Sequence, residues 1–220
     1  MKNRHSLSHG SREQGYELSY KLACEQLSKI SDIEEQCRKS GAHYLSPNKL
    51  IIDYLNQPYH ITLPGIEISL GDSKVEVPLK DKILMLHYFT LAEGTPATGI
   101  LITYKQLPGG VSYFPAFSQR TITPLVHHFG KKPELLTAIA AKFGSHEADY
   151  GDVSVTINAF NHVPVTLVLW RGDEEVAPSG NILFDANISD YLSTEDVAVL
   201  CETIIWKLVK GIPSTSELRT

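Results

Sequence analysis

Residues able to do chemistry are sparse in this chain, and the first of them is a histidine in an apolar run. The stretch KILMLHYFTLAEG, residues 82–94, sets His87 among aliphatic and aromatic side chains. On a helix, His87 shares a face with Ile83, Leu84 and Leu91, one turn before and after it. An apolar setting disfavours the imidazolium, so a neutral ring is expected. A neutral imidazole either finds a backbone or hydroxyl partner inside the core, or coordinates a metal. His87 is therefore read two ways, as a core residue with one hydrogen bond or as an axial metal ligand and polar anchor of a pocket.

Two aromatic features extend the second reading. In GGVSYFPAF, Tyr113, Phe114 and Phe117 gather around Pro115 on an expected turn. Such residues most often close a core, yet aromatics on a turn also suit a pocket wall. A flat tetrapyrrole, whether corrinoid or haem, needs an aromatic and aliphatic wall plus one axial side chain. His87 as the metal ligand, with Tyr113, Phe114 and Phe117, would supply that minimum. In LWRGDEE, Trp170 is able to stack on a flat ligand and Arg171 to clamp a carboxylate or phosphate. The structural alternative is a core Trp beside an Arg paired with Asp173, Glu174 or Glu175.

The densest set of metal-ligand types is His127, His128, His146, Glu147, Asp149 and Asp152. Adjacent histidines on a helix point about 100° apart and do not easily chelate one ion. HEADYGD lacks both the calcium-loop pattern and the second histidine of HExxH. A solvated helix end and loop is the better reading, with the histidines favourable at a helix C-terminus. No nucleophile elbow, phosphate loop or dinucleotide fingerprint is present. Cys24, Cys37 and Cys201 form no CxxC pair, and the count completes no disulfide framework. With no catalytic motif, non-enzymatic binding is favoured over catalysis.

The elements that must position these residues follow from periodicity. Tyr16, Tyr20, Ala23, Leu27 and Ile30 recur at helical spacing, and Ser31 with Glu34 suggests a capping box for a short second helix ending at Gly41. KLIIDYL, YHITL and IEISL are β-rich runs separated by turn residues, an antiparallel meander that VEV at 75–77 would continue. A helix is expected over 79–93, another from Ser118 to Phe129 bent at Pro124, and a third from Pro133 to Phe143. DVSVTINAF alternates as a half-buried strand and should pair with VPVTLVLW in a hairpin, with ILFDA as a further short strand. Ser193 with Asp196 caps a final helix whose apolar stripe is Val197, Leu200, Ile204 and Leu208, and Gly211 ends it.

The expected fold class is α+β, a single domain with an antiparallel sheet (the meander plus the C-terminal hairpin) packed by about five to six helices. That domain spans 15–212, with flexible polar tails at 1–14 and 213–220. Hydrophobic residues at 42% and charged residues at 20% fit an ordinary globular chain. A net charge of −5 argues against a broad nucleic-acid surface. No apolar run reaches the about 18–20 residues of a membrane span. The opening MKNRHSLSHGSREQG has no apolar centre, so the expected location is cytoplasmic.

YELSYKLACEQL, DYLNQPYHITLP, VPLKDKILMLHYFTLAEGTP, ADYGDVSVTINAF and VPVTLVLWRGDEEVAPSGNILFD together resemble the domain of unknown function 3786 family of anaerobic bacteria and archaea. The resemblance runs from Tyr16 to Lys210. It implies a setting in anaerobic one-carbon and corrinoid metabolism, and hence corrinoid or methyltransferase proteins as partners. Some members of that family carry an added four-cysteine iron–sulfur module. This chain has no such module, so no cluster is carried over, and no catalytic residues come with the resemblance. The expectation is a cytoplasmic accessory protein binding a tetrapyrrole through His87, Tyr113, Phe114, Phe117, Trp170 and Arg171. The competing expectation is an interaction or assembly protein without a small-molecule site. A metal-dependent enzyme using His127, His128, His146 and Asp149 stands third.

Overall fold

A computed structural model describes residues 4–71 and 73–213, with side-chain surroundings from Gln14 onward. Residues 1–3 and 214–220 of the expected tails lie outside the described residues. The fold class is α+β, built from α-helices and two antiparallel sheets. The chain divides into two compact units, 1–95 and 96–220, each with its own sheet. The meander and the C-terminal hairpin therefore belong to different sheets.

In the first unit α1 (Arg4–Leu27) runs through most of the N-terminal polar stretch. Its C-terminal half buries Ala23 and Leu27, while the Tyr20 hydroxyl donates to the Ile66 carbonyl at 3.1 Å. Helix α2 (Ile33–Ser40) is capped by Asp32, not by Ser31 as the capping-box spacing suggested. The Asp32 carboxylate, one residue closer to the helix, accepts from the Glu35 backbone N–H at 2.8 Å. Gly41 closes α2 at φ 69°, the left-handed geometry that glycine adopts without a Cβ penalty.

The sheet of this unit has the order β1 (His43–Ser46), β2 (Lys49–Tyr54), β3 (Gln57–Thr62), β4 (Glu67–Leu70). Strand β1 is an addition to the expected meander, a short and largely exposed edge. VEV at 75–77 is not a strand. It leads instead into α3 (Leu79–Leu91), whose apolar residues Ile83, Leu84, Met85, Leu86, Tyr88 and Phe89 are all buried. Burial nearly all the way round explains why α3 lacks an amphipathic stripe. Gln36 of α2 ties down its end, donating through Nε2 to the carbonyls of Phe89 (2.6 Å) and Ala92 (3.0 Å).

The second unit has the sheet order β5 (Leu101–Thr103), β9 (Ser179–Asp185), β8 (Val163–Trp170), β7 (Val153–Phe160), β6 (His146–Glu147), all antiparallel. The β7–β8 pair is the expected hairpin, in one register from Val153 opposite Leu169 to Asn158 opposite Pro164, with a shift before Phe160 opposite Val163. Its alternation suggested one wet face, but Ser154, Thr156 and Thr166 are buried too. Covering both faces is possible because these hydroxyls find partners: Thr156 and Thr166, directly opposite, share a hydrogen bond at 2.8 Å.

Helices α4 (Gly110–Arg120) and α5 (Ile122–Phe129) replace the single bent helix expected over 118–129. Thr121 separates them, buried, its hydroxyl donating back to the Phe117 carbonyl at 2.7 Å. Helix α6 (Glu134–Ala140) packs on β7, α5 on β9, and α7 (Thr194–Lys210) against α4, α5 and α6. The stripe Val197, Leu200, Ile204 and Leu208 of α7 is buried, and Ser193 caps it by accepting from the Asp196 N–H at 3.1 Å. Among the described residues no helix is long and apolar enough to cross a membrane.

Candidate functional site

Arg171 lines a cavity. It follows β8, at the point where the strand leaves the sheet, and its backbone N–H donates to Asp152 Oδ2 at 2.7 Å. The next residues fold back tightly. Asp173 donates through its backbone N–H to the Val176 carbonyl at 2.9 Å. Its side-chain Oδ1 accepts from the N–H groups of Val176 (2.7 Å) and Glu175 (2.8 Å), which hold the carboxyl below its ordinary range.

Close approach requires glycine here. A Cβ on Gly172 would lie 2.6 Å from both Pro178 Cδ and the Val176 carbonyl oxygen. A Cβ on Gly130, at the end of α5, would lie 2.9 Å from Pro178 Cβ. Pro178 is thus packed near both glycines, and the chain after Arg171 has one compact course.

The resulting cleft has a volume of about 320 Å³, bounded by Lys131, Pro133, Arg171, Asp173 and Pro178 with the two glycines. Two of those side chains are cationic. Arg171 Nη2 donates to Glu134 Oε1 at 2.5 Å, an exposed ion pair between the β8 end and the first turn of α6. The Glu134 carboxyl is held below its usual range, first by its own backbone N–H and then by Arg171. Among the described residues no carboxylate stands within ion-pair distance of Lys131. Chemically, the cleft offers a planar guanidinium fork and an ammonium beside a small cavity, the donors that suit a carboxylate or phosphate.

The other expected site residues stand apart from this cleft. Trp170 is 40% exposed and its ring lies over Gly151, where an added Cβ would meet Trp170 Cε2 at 3.2 Å. It is therefore not a core Trp, and it does not line the cleft. Tyr113, Phe114 and Phe117 occupy α4 rather than a turn, with Pro115 inside the helix. The amide that Pro115 lacks would have bonded to the carbonyl of Val111, a residue 70% exposed, so water can serve that carbonyl.

The helix sends the three rings different ways. Phe117 is buried and stacks on Tyr104 at 3.9 Å between centroids, closing the core. Phe114 is half-buried beneath the Lys105 ammonium, which lies 4.2 Å from its ring centre. Tyr113 is 64% exposed.

His87 belongs to the first unit, on α3. It is half-buried, not enclosed in an apolar stripe: Ile83 and Leu84 on its face are buried, but Leu91 is 47% exposed. The helix surface turns outward along that face. His127 and His128 make an edge-on pair at 4.8 Å, and His128 approaches Trp206 at 6.2 Å. Among the described residues no group of three or more His, Cys, Asp or Glu is placed to hold a metal ion.

Sequence reasoning reached Arg171 through its WRGD context but missed Lys131, Glu134 and the two glycines. Glu134 is far from Arg171 in the chain, and no spacing rule links a helix start to a strand end. The family described as "Domain of unknown function (DUF3786)" matches residues 32–207, and the chain belongs to it. No curated protein and no solved structure matches the chain.

Proposed function

We propose that this protein is a cytoplasmic, non-enzymatic accessory protein that binds a tetrapyrrole, a corrinoid or haem, beside corrinoid or methyltransferase partner proteins of anaerobic one-carbon metabolism. The observation that carries the binding reading is the Arg171 cleft, a preformed cavity with two cationic side chains. At about 320 Å³ it is at the small end of ligand pockets, which run roughly 300–1,000 Å³. It suits the carboxylate or amide edge of such a ligand rather than a whole macrocycle. Exposed Trp170, the residue before Arg171, offers a flat apolar surface of the kind that stacks on ring ligands.

The test is a titration of the purified protein with haemin and with cobalamin, followed in the visible spectrum. A shifted Soret or corrin band, weakened in Arg171→Gln and in Trp170→Ala, is the expected result. His87→Ala asks separately whether an imidazole is the axial ligand. Unchanged spectra with both compounds would overturn the reading.

A second reading, an interaction or assembly protein without a small-molecule site, is favoured by Val111 and Tyr113, which leave apolar surface exposed on α4. It predicts partners in affinity purification that are lost in Tyr113→Asp, and spectra that do not respond to either tetrapyrrole.

A further inference from the structure

Arg171 already holds an anion in this structure, and that anion is part of the protein. Glu134 Oε1 sits 2.5 Å from Arg171 Nη2 and takes up one of the guanidinium donors that a ligand carboxylate would use. We propose that the Lys131–Arg171 cleft is an oxyanion site, for a carboxylate or phosphate group, and that Glu134 is its resident competitor, displaced when the ligand binds. The proposal rests on reading the cleft as the ligand site, and it adds which chemical group enters and what must leave.

Three features support exchange over simple addition. First, the pair is exposed on both sides, and exposed ion pairs are weak enough to be given up readily. Second, the wall does not need to form on binding. The turn after Arg171 is held by the backbone bonds of Asp173 and by the close approach of Gly172 to Pro178, so little ordering cost remains.

Third, the surroundings are acidic. Asp152 and Asp173 are committed to backbone N–H groups, and Glu174 and Glu175 stand exposed on the same loop. An anion added beside Glu134 would add its charge to that acidic field. An anion that replaces Glu134 takes over its pairing with Arg171, while Glu134 moves into water. Lys131, with no carboxylate partner among the described residues, then gives the incoming group a second cation that Glu134 does not use.

The experiment is a two-dimensional NMR titration of the full chain at low salt, using inorganic phosphate and, in a parallel arm, succinate. The two arms tell which oxyanion is preferred. Wild type should show saturable shifts centred on Lys131, Arg171 and Gly172. Glu134→Gln should bind more tightly by up to about fivefold, the size of an exposed ion pair. Arg171→Gln should bind at least about fivefold more weakly. The spectrum itself reports whether each variant is folded.

Equal affinity in Glu134→Gln and wild type, or no localised shifts in either protein, would overturn the proposal. The tetrapyrrole reading fails separately. Haemin or cobalamin binding that needs Arg171 but ignores Glu134→Gln would retain that reading and remove the exchange. Phosphate or succinate binding in the stated order, with unresponsive visible spectra, would do the reverse.

Discussion

Asp185 and Thr98 are joined twice through one oxygen: Asp185 Oδ1 accepts from the Thr98 backbone N–H at 3.0 Å and from its hydroxyl at 2.8 Å. The same carboxylate takes the N–H of Gly99 on Oδ2 at 2.8 Å and that of Asn187 on Oδ1 at 3.0 Å. Asp185 thereby fixes the chain entering β5 to the end of β9.

Burial raises the Asp185 carboxyl pKa, but hydrogen bonds from Asn187, Thr98 and Gly99 outweigh it and hold the group below its ordinary range. A carboxyl lowered on folding contributes stability above its unfolded pKa, and that contribution is lost as pH falls through the folded value. Asp185→Asn should therefore cost about 1–3 kcal/mol at pH 7. The gap between variant and wild type should close in acid, below the ordinary Asp range. Urea midpoints at the two pH values check this, and a gap independent of pH would contradict it.

Thr156 and Thr166 face each other across β7 and β8, each supplying the other's buried partner. Replacing one by valine leaves a buried hydroxyl without its bond, so each single variant should lose about 1–3 kcal/mol. The double valine variant should lose less than the two single losses combined, because no orphan remains. A double-mutant cycle by chemical denaturation measures the coupling, and additivity would refute it.

Gly172→Ala places a methyl 2.6 Å from Pro178 Cδ and from the Val176 carbonyl oxygen. The turn must shift to admit it, at a cost of about 1–3 kcal/mol. The change should be local: amide shifts at residues 171–178 and altered oxyanion binding, with the β7–β8 hairpin undisturbed. Loss of amide exchange protection spread evenly through the second unit would show the opposite, a global effect.

The cysteines should separate by accessibility. Cys201 is fully enclosed and burial pushes its thiol far up, while Cys37 is pushed to about 11 by burial and then by Glu34. Cys24 is half-buried, its thiol raised by burial and partly lowered by the Tyr20 hydroxyl. Alkylation of the native protein with iodoacetamide, read by mass spectrometry, should label Cys24 first. Cys201 should react only on unfolding, and early labelling of Cys201 would contradict its enclosure.

Much of the architecture was legible because it depends on local chemistry. The period-two pattern of VSVTINAF and VPVTLVLW specifies paired strands, since a one-residue slip would turn every side chain over. Ser193 and Gly41 mark helix ends because side-chain capping and left-handed geometry are properties of those residues, while Gly211 ends α7 with right-handed angles. Where local signals competed, the sequence misled. Asp32 outcompeted Ser31 as a cap, and Pro115 suggested a turn although α4 runs through it.

The site depended on tertiary structure. His87 looks enclosed in KILMLHYFTLAEG, yet its degree of burial is set by what covers the Leu91 end of α3, which periodicity does not record. Phe117 and Tyr113 are near neighbours in sequence, and only packing sends one ring onto Tyr104 and the other into water. Amino-acid order alone was enough for the α+β class, the hairpin, the Ser193 cap of α7 and the family. It could not bring Lys131, Glu134 and Arg171 together, because they meet through the folding of α5, α6 and β8, and side-chain proximity across separate elements has no sequence period to announce it.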